Sequence, residues 1–387
     1  NNLSLSDWAS LTTTSKTKEN NLDHEKIISG KISVKNLEII NKNFNDTNID
    51  FTNSKINEDW NIIFDGDEIK GVASYTKRSE NKNDYMRGDF EKLSLNKNNN
   101  IENITSYNIN KIPEIKINIE NFIYKNNKLG NLNLSTSRKV KNIINIDELN
   151  FKKPGLNINA SGSWSNIDGN DKSDFYIKLE SDSIEKMFKA FDYETANIKN
   201  AKTFIEVNAN WVGSPMDFHM KNLNGELNMD IEKGQFLDIE PKAGRLFGLL
   251  SIQSLPRRLS LDFADLFDEG FAFDTIKGNF NLENGQAYTN DLQMIGPSGD
   301  IMISGRTGLV TEDYDQIATV VPKVSDSLPV ASALFGPVGV GVGAVLFFAG
   351  ELFESIPNNI DRILTQQYSI KGSWEEPEIN KISIEKR

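Results

Sequence analysis

The chain has 387 residues, 38% of them hydrophobic, a mean hydropathy of -0.46 and a net charge of -12. That charge argues against a general attraction to nucleic acid, which needs basic surface. The absence of cysteine removes disulfides, thiolate metal sites and a cysteine nucleophile together. The length exceeds the usual single-domain size, so two domains or one elongated, repeat-like body is expected, the latter favoured by the low hydrophobic content.

The chain opens Asn-Asn-Leu with no basic n-region and no early apolar stretch, so no signal peptide or anchor is expected in it, and it reads as a fragment or mature product. From about Ile27 the dominant pattern is period two, the signature of strands with one apolar face. Residues 1–155 are expected to form a strand-rich segment; Ile115, Ile117 and Ile119 alternate with polar residues there, as do Leu132 and Leu134. Residues 156–326 continue the pattern through Leu156, Ile158 and Ala160, then Phe175, Ile177 and Leu179. Later rows are Ile205, Val207, Ala209 and Trp211; Leu223, Leu227, Met229 and Ile231; Phe280 and Leu282; Leu292 and Met294; Ile301 and Ile303. Turn signals at Asn126-Asn127, Glu232-Lys233-Gly234, Glu283-Asn284-Gly285 and Gly296-Pro297-Ser298-Gly299 link strand to strand and favour an antiparallel meander.

Helical spacing interrupts the strands. Ile184, Met187, Phe188 and Phe191 fall at i, i+3, i+4, i+7, with Asp182 as N-cap and Glu185 behind it, predicting a helix near 183–194. A second is predicted over 241–255, carrying Leu246, Phe247, Leu249 and Leu250 and stopped by Pro256. Residues 327–367 form an apolar helical tip: Leu328 to Gly350 is uncharged, yet Pro329, Pro337 and several glycines make it a poor single-pass span. The tip reads as a helical hairpin that contacts a membrane through Phe335, Val338, Leu346, Phe347, Phe348 and Phe353, or that plugs the open end of the sheet. Residues 368–387 supply a closing strand and tail. A tryptophan ends three strands alike, at Gly162-Ser163-Trp164, Ala209-Asn210-Trp211 and Gly372-Ser373-Trp374, as a weak internal repeat or a plug at a sheet edge.

Catalytic chemistry has little foothold, so no enzyme is expected and no cofactor or metal. His24 and His219 lie far apart, and Asp262, Asp265, Asp268 and Glu269 lack the spacing of a calcium loop and read as a solvated acidic turn. No phosphate loop and no nucleophile elbow is present. Arg245, Arg257, Arg258 and Arg362 flank the apolar elements, where they either meet lipid phosphates or pair with acidic neighbours.

A long one-faced sheet must cover its apolar side with protein or with a ligand. A closed sandwich or solenoid is one solution; a mainly β, elongated, curled antiparallel sheet that leaves an open hydrophobic groove is the other. A lipid with roughly 30 methylenes costs on the order of 24 kcal/mol to expose to water, at about 0.8 kcal/mol per methylene, and a continuous apolar groove offsets most of that. Its expected lining is Ile205, Val207, Ala209, Leu223, Leu227, Met229, Ile231, Phe280, Leu282, Leu292, Met294, Ile301 and Ile303.

Gly244 to Phe263, Phe267 to Gly278 and Met294 to Leu309 resemble the C-terminal region of YhdP-like members of the AsmA-like protein family. So do Val320-Val321-Pro322, Ser327-Leu328-Pro329 and the strand from Tyr368 to Trp374. The resemblance implies a curled sheet whose groove passes phospholipids across the periplasm of a Gram-negative bacterium, from an inner-membrane anchor absent from this chain to the outer membrane. It implies that the C-terminal helices lie at the outer-membrane end. A non-catalytic envelope scaffold with a membrane-inserted tip is the alternative, and an envelope polymer hydrolase the third reading.

Overall fold

The computed structural model describes residues 2–4, 29–39, 42–53, 59–78, 82–95, 108–124, 127–190, 198–236, 271–323 and 365–382. Strand dominates them, so the chain is mainly β, as the alternation predicts. The helix expected over 241–255, the tip hairpin, the acidic turn at 262–269 and His24 lie outside the described residues. The chain divides into two compact units, one of Asn1–Ile177 with Val212–Asp217, the other of Lys178–Trp211 with Phe218–Arg387.

The first unit takes its strands in chain order: β1 (Asn2–Ser4), β2 (Ser29–Ile39), β3 (Lys42–Asn53), β4 (Trp60–Asp65), β5 (Ile69–Thr76) and β6 (Tyr85–Leu95). It continues with β7 (Glu114–Tyr124), β8 (Asn127–Ser137), β9 (Ile143–Lys153), β10 (Leu156–Ile167) and the start of β11 (Asn170–Ser181). Successive strands from β2 to β6 and from β7 to β10 pair antiparallel. The pure meander fails at two joints, because β1 pairs β2, and β6 pairs β7, in parallel. A parallel pair cannot be made by a hairpin; the chain must first return along the length of the strand, and the Asn-rich stretch after Leu95 gives no periodicity that announces it.

The second unit begins with the end of β11 and a short helix, α1 (Ile184–Ala190), followed by β12 (Ile198–Lys199), β13 (Lys202–Val212) and β14 (Asn224–Phe236). Then come β15 (Phe271–Glu283), β16 (Gln286–Ile295), β17 (Gly299–Gly308), β18 (Asp313–Pro322), β19 (Gln366–Ser373) and β20 (Pro377–Lys381). Each strand from β13 to β20 pairs antiparallel with the next, and no described pairing closes either unit's sheet on itself. The closing strand expected from Tyr368 is β19, with β20 as a short outer strand beside it.

Turn chemistry is mixed. Asn284 and Gly285 both take positive φ, 50° and 73°, and make the two-residue hairpin between β15 and β16. Gly296 N–H donates to the Gly299 carbonyl at 3.1 Å, closing the loop before β17. Glu232-Lys233-Gly234 is not a turn: it lies within β14, where Lys233 takes φ 52°. There β14 changes partner from β13 to β12, so the local signal marks a kink in one strand and not its end. Helix α1 buries Ile184, Met187 and Phe188 as predicted, but the Ser183 carbonyl accepts from Lys186 and Met187, so the chain enters the helix one residue later than Asp182.

Candidate functional site

The cross-strand registers place apolar residues opposite one another on a single face in each unit. In the first unit one row runs through Ile32, Ile49, Phe64, Gly71, Phe90, Ile119, Leu132, Phe151 and Ile158, one residue from each strand β2 to β10. At about 4.8 Å per strand, eight steps carry it roughly 38 Å across the sheet. The parallel joint does not break it, since Phe90 stands opposite Ile119. Val34, Leu37, Phe44, Ile69, Ala73 and Phe122 widen the row into a buried cluster, and Phe64 and Phe90 approach ring to ring at 6.1 Å. The opposite face carries charged and polar pairs, Lys31 bonding Asp50 at 2.7 Å and Asn118 donating to Asp89 at 2.7 Å, alongside the exposed apolar pair Ile63 and Val72. The Asn118 hydrogen bond, foremost, holds the Asp89 carboxyl below its usual range.

In the second unit the sequence-predicted residues come together. Ile231, Ile276, Met294, Ile301 and Val320 form one row across β14 to β18. Leu292, Ile303, Ala318 and Tyr368 form the next. Val207, Leu227 and Phe280 form a third, Ile205 stands opposite Met229, and Ala209 and Leu282 flank Gly225. All the expected groove residues within strands therefore share one face; Leu223 immediately precedes β14 and is also buried. Leu292, Met294 and Ile301 are fully shielded, whereas Ile205, Val207 and Leu227 are half-buried. Asn228 stands on the other face, opposite Glu206 and Asn279, and is exposed.

Sequence reasoning missed Ile276, Ala318, Val320, Tyr368 and Ile370, all shielded on this face. In β18 the reason is plain: Asp313 to Pro322 reads DYDQIATVVP, whose inward residues include Tyr314 and Gln316 and whose outward ones include Ile317 and Val321. The alternation that betrays the other strands is absent. The expected membrane-contact residues Phe335, Val338, Leu346, Phe347, Phe348 and Phe353 lie outside the described residues, as do Arg245, Arg257, Arg258 and Arg362.

Several charges on the described part of the second unit form cross-strand pairs. Arg306 holds Asp313 through two bonds, of 3.0 and 2.5 Å, and this guanidinium keeps the carboxyl below its usual range. Lys277 bonds Asp230 at 2.8 Å on the outer face. His219 is exposed at the start of a short 3-10 turn. Among the described residues no cluster of His, Asp or Glu could hold a metal ion, and no helix is long and apolar enough to cross a membrane. The apolar rows carry no carboxylate, amine or imidazole, so what they offer chemically is non-directional burial of apolar surface.

Fold and face thus define a class: a mainly β protein with an extended one-sided apolar ladder. The chain belongs to the YhdP protein family, whose sequence profile matches residues 1–379. It is 30% identical over 226 residues to the "Intermembrane phospholipid transporter YhdP" of Escherichia coli (strain K12), a match that covers 58% of this chain and 17% of that relative. The chain thus spans a small part of the relative's length. No solved structure matches it significantly.

Proposed function

We propose that this chain is the outer-membrane-proximal part of a periplasm-spanning protein that carries phospholipids between the inner and outer membranes along a hydrophobic groove. The apolar face of each unit supplies groove floor, and the C-terminal residues around 328–350 meet the outer membrane. The observation that carries the reading is the cross-strand ladder of inward apolar residues and glycine, which runs from β2 to β10 in the first unit and from β14 to β18 in the second. Such a ladder runs across the strands, so acyl chains can step from strand to strand at nearly constant free energy while the head group stays in water. Family membership and the printed function of the E. coli relative point the same way.

The test combines mass spectrometry of lipid extracted from the purified chain with photo-crosslinking residues at Leu227, Met294 and, on the outer face, Asn228. Phospholipid adducts at the first two positions and none at Asn228 are expected. Lipid-free protein without adducts would instead favour a sheet whose apolar face meets only protein.

A further inference from the structure

The outer face of the second unit carries a cavity that the apolar rows on the other side do not use. It has a volume of about 400 Å³ and lies over the middle of β13, β14 and β15, with Lys178 of β11 at its wall. Ligand pockets run from about 300 to 1,000 Å³, so a small molecule or a short stretch of polymer fits. Two cross-strand rows make the floor: Phe204, Asp230 and Lys277, and beside them Glu206, Asn228 and Asn279. The charges in it are already matched. Lys277 bonds Asp230 at 2.8 Å, and Lys178 stands 3.3 Å from Glu180 and 3.9 Å from Glu206. The remaining oxygen of Asp230, Oδ1, is shielded from solvent and so out of a ligand's reach. Neither a phosphate nor an ammonium ion finds an unspent counter-charge here.

What the cavity does present is a ring and an amide. Phe204 is 39% exposed, and it is the one apolar side chain among the outward residues paired across β13, β14 and β15. Asn228 is exposed, and its amide has no partner among the described residues. Since Phe204 stands opposite Asp230 and Glu206 opposite Asn228, the ring and the amide are diagonal neighbours, about 7–8 Å apart. Together they offer an apolar platform, a donor and an acceptor, with no net charge. A sugar ring has the matching chemistry: a face of C–H bonds that packs on an aromatic ring, and a rim of hydroxyls that both donate and accept. A peptide fits less well, because β13, β14 and β15 each have a paired strand on both sides and leave no edge for strand addition.

We infer that this outer face is a carbohydrate-binding site, which takes an uncharged pyranose oligosaccharide stacked on Phe204 and hydrogen-bonded to Asn228. The site goes beyond the groove and stands whether or not the apolar face carries lipid. Lying on the opposite side of the sheet, a bound glycan leaves the apolar rows unobstructed. An N-acetylated glycan and a plain glucan share the chemistry that the site recognises, and the choice of probe separates them.

Saturation-transfer NMR on the purified chain tests it, with triacetylchitotriose as the N-acetylated probe and cellotriose as the plain one. Saturable transfer, strongest at ring C–H protons, is expected with at least one of them, and the stronger names the kind of glycan. Phe204→Ser and Asn228→Ala should each weaken binding several-fold. Tyr288→Ser, which removes a similarly exposed aromatic outside the cavity, should leave it unchanged. Urea midpoints of all three variants should stay close to that of the parent, which separates lost binding from lost fold. Excess inorganic phosphate should not compete, because the cations are already paired. The site is overturned by absence of saturable transfer with both sugars, by displacement with phosphate, or by an equal loss in Tyr288→Ser. Saturable binding of a blocked, uncharged peptide where both sugars fail would assign the cavity to peptide instead and equally overturn it.

Discussion

At the scale of single residues, backbone geometry gives the clearest expectations. Gly225 pairs with Ala209 and Leu282 at φ 137°, and a Cβ built there would stand 1.8 Å from the Asn208 carbonyl oxygen. Gly169 also has positive φ, 83°, but nothing lies within 4 Å of the added carbon. Gly169→Ala should therefore cost only the left-handed conformational penalty, about 1–2 kcal/mol, and Gly225→Ala clearly more, because a strand backbone must move as well. Urea midpoints of the two variants at equal slope measure the difference. The Arg306–Asp313 pair gives a pH signature. Its folded-state carboxyl is depressed, so the pair's contribution is fully present above the unfolded value of about 3.9 and is lost as pH falls through the lower folded value. The stability gap between the parent chain and Asp313→Asn should be constant above about pH 5 and shrink below pH 4. Urea titrations across that range check it. Neither pairing was legible in the sequence, since both depend on which strands become neighbours.

Elements were legible where burial and period coincide. Rows such as Ile205, Val207 and Ala209 announce β13, and Ile184, Met187 and Phe188 announce α1, because one face of each is apolar and the other polar. The early strands were harder to read for inward positions, because Gly71, Ala73 and Gly88 stand in the apolar rows and small residues carry little hydropathy signal. The β14 kink shows the converse error, a turn-like tripeptide held inside a strand by partners on both sides. Helix α1 is anchored rather than merely laid on the sheet: the Ile184 N–H donates to the Ala201 carbonyl at 2.8 Å, and the Asn200 N–H to Glu185 at 3.3 Å. Ile184 is 1% exposed. Ile184→Ala should thus cost about 2–5 kcal/mol, while Lys186→Ala on the exposed side stays within about 0.5 kcal/mol. Thermal and urea unfolding of both variants would expose a helix that contributes nothing, as equal and small changes.

At the scale of the molecule, the proposed passage of acyl chains along the apolar face of the second unit is tested by a single obstruction. Leu227 is half-buried in the Val207–Leu227–Phe280 row, where a larger apolar side chain can be accepted without filling a sealed core. Leu227→Trp should lower bound lipid per chain several-fold with little change in unfolding midpoint, whereas Asn228→Trp on the opposite face should leave lipid content unchanged. Loss of lipid in both, or in neither, would contradict passage along this face. The single face was readable in advance for β13 to β17. Its extension through β18 and β19 was not, because there the inward side holds amide and phenol groups that break the alternation.

The parallel joint between β6 and β7 also sets an order of events. Hairpins such as β7 with β8 close short loops, but Tyr85 meets Glu114 only after the chain between them has doubled back. Long loop closures are slower to form than local ones, since their entropy is lost before any contact repays it. The first unit should accordingly assemble as two independent meanders, β2 to β6 and β7 to β10, whose mutual seam zips last. In pulse-labelled hydrogen exchange during refolding, amides that bridge β6 and β7 should gain protection after those within either meander, leaving that seam as the moment at which the apolar row of the first unit first becomes one surface.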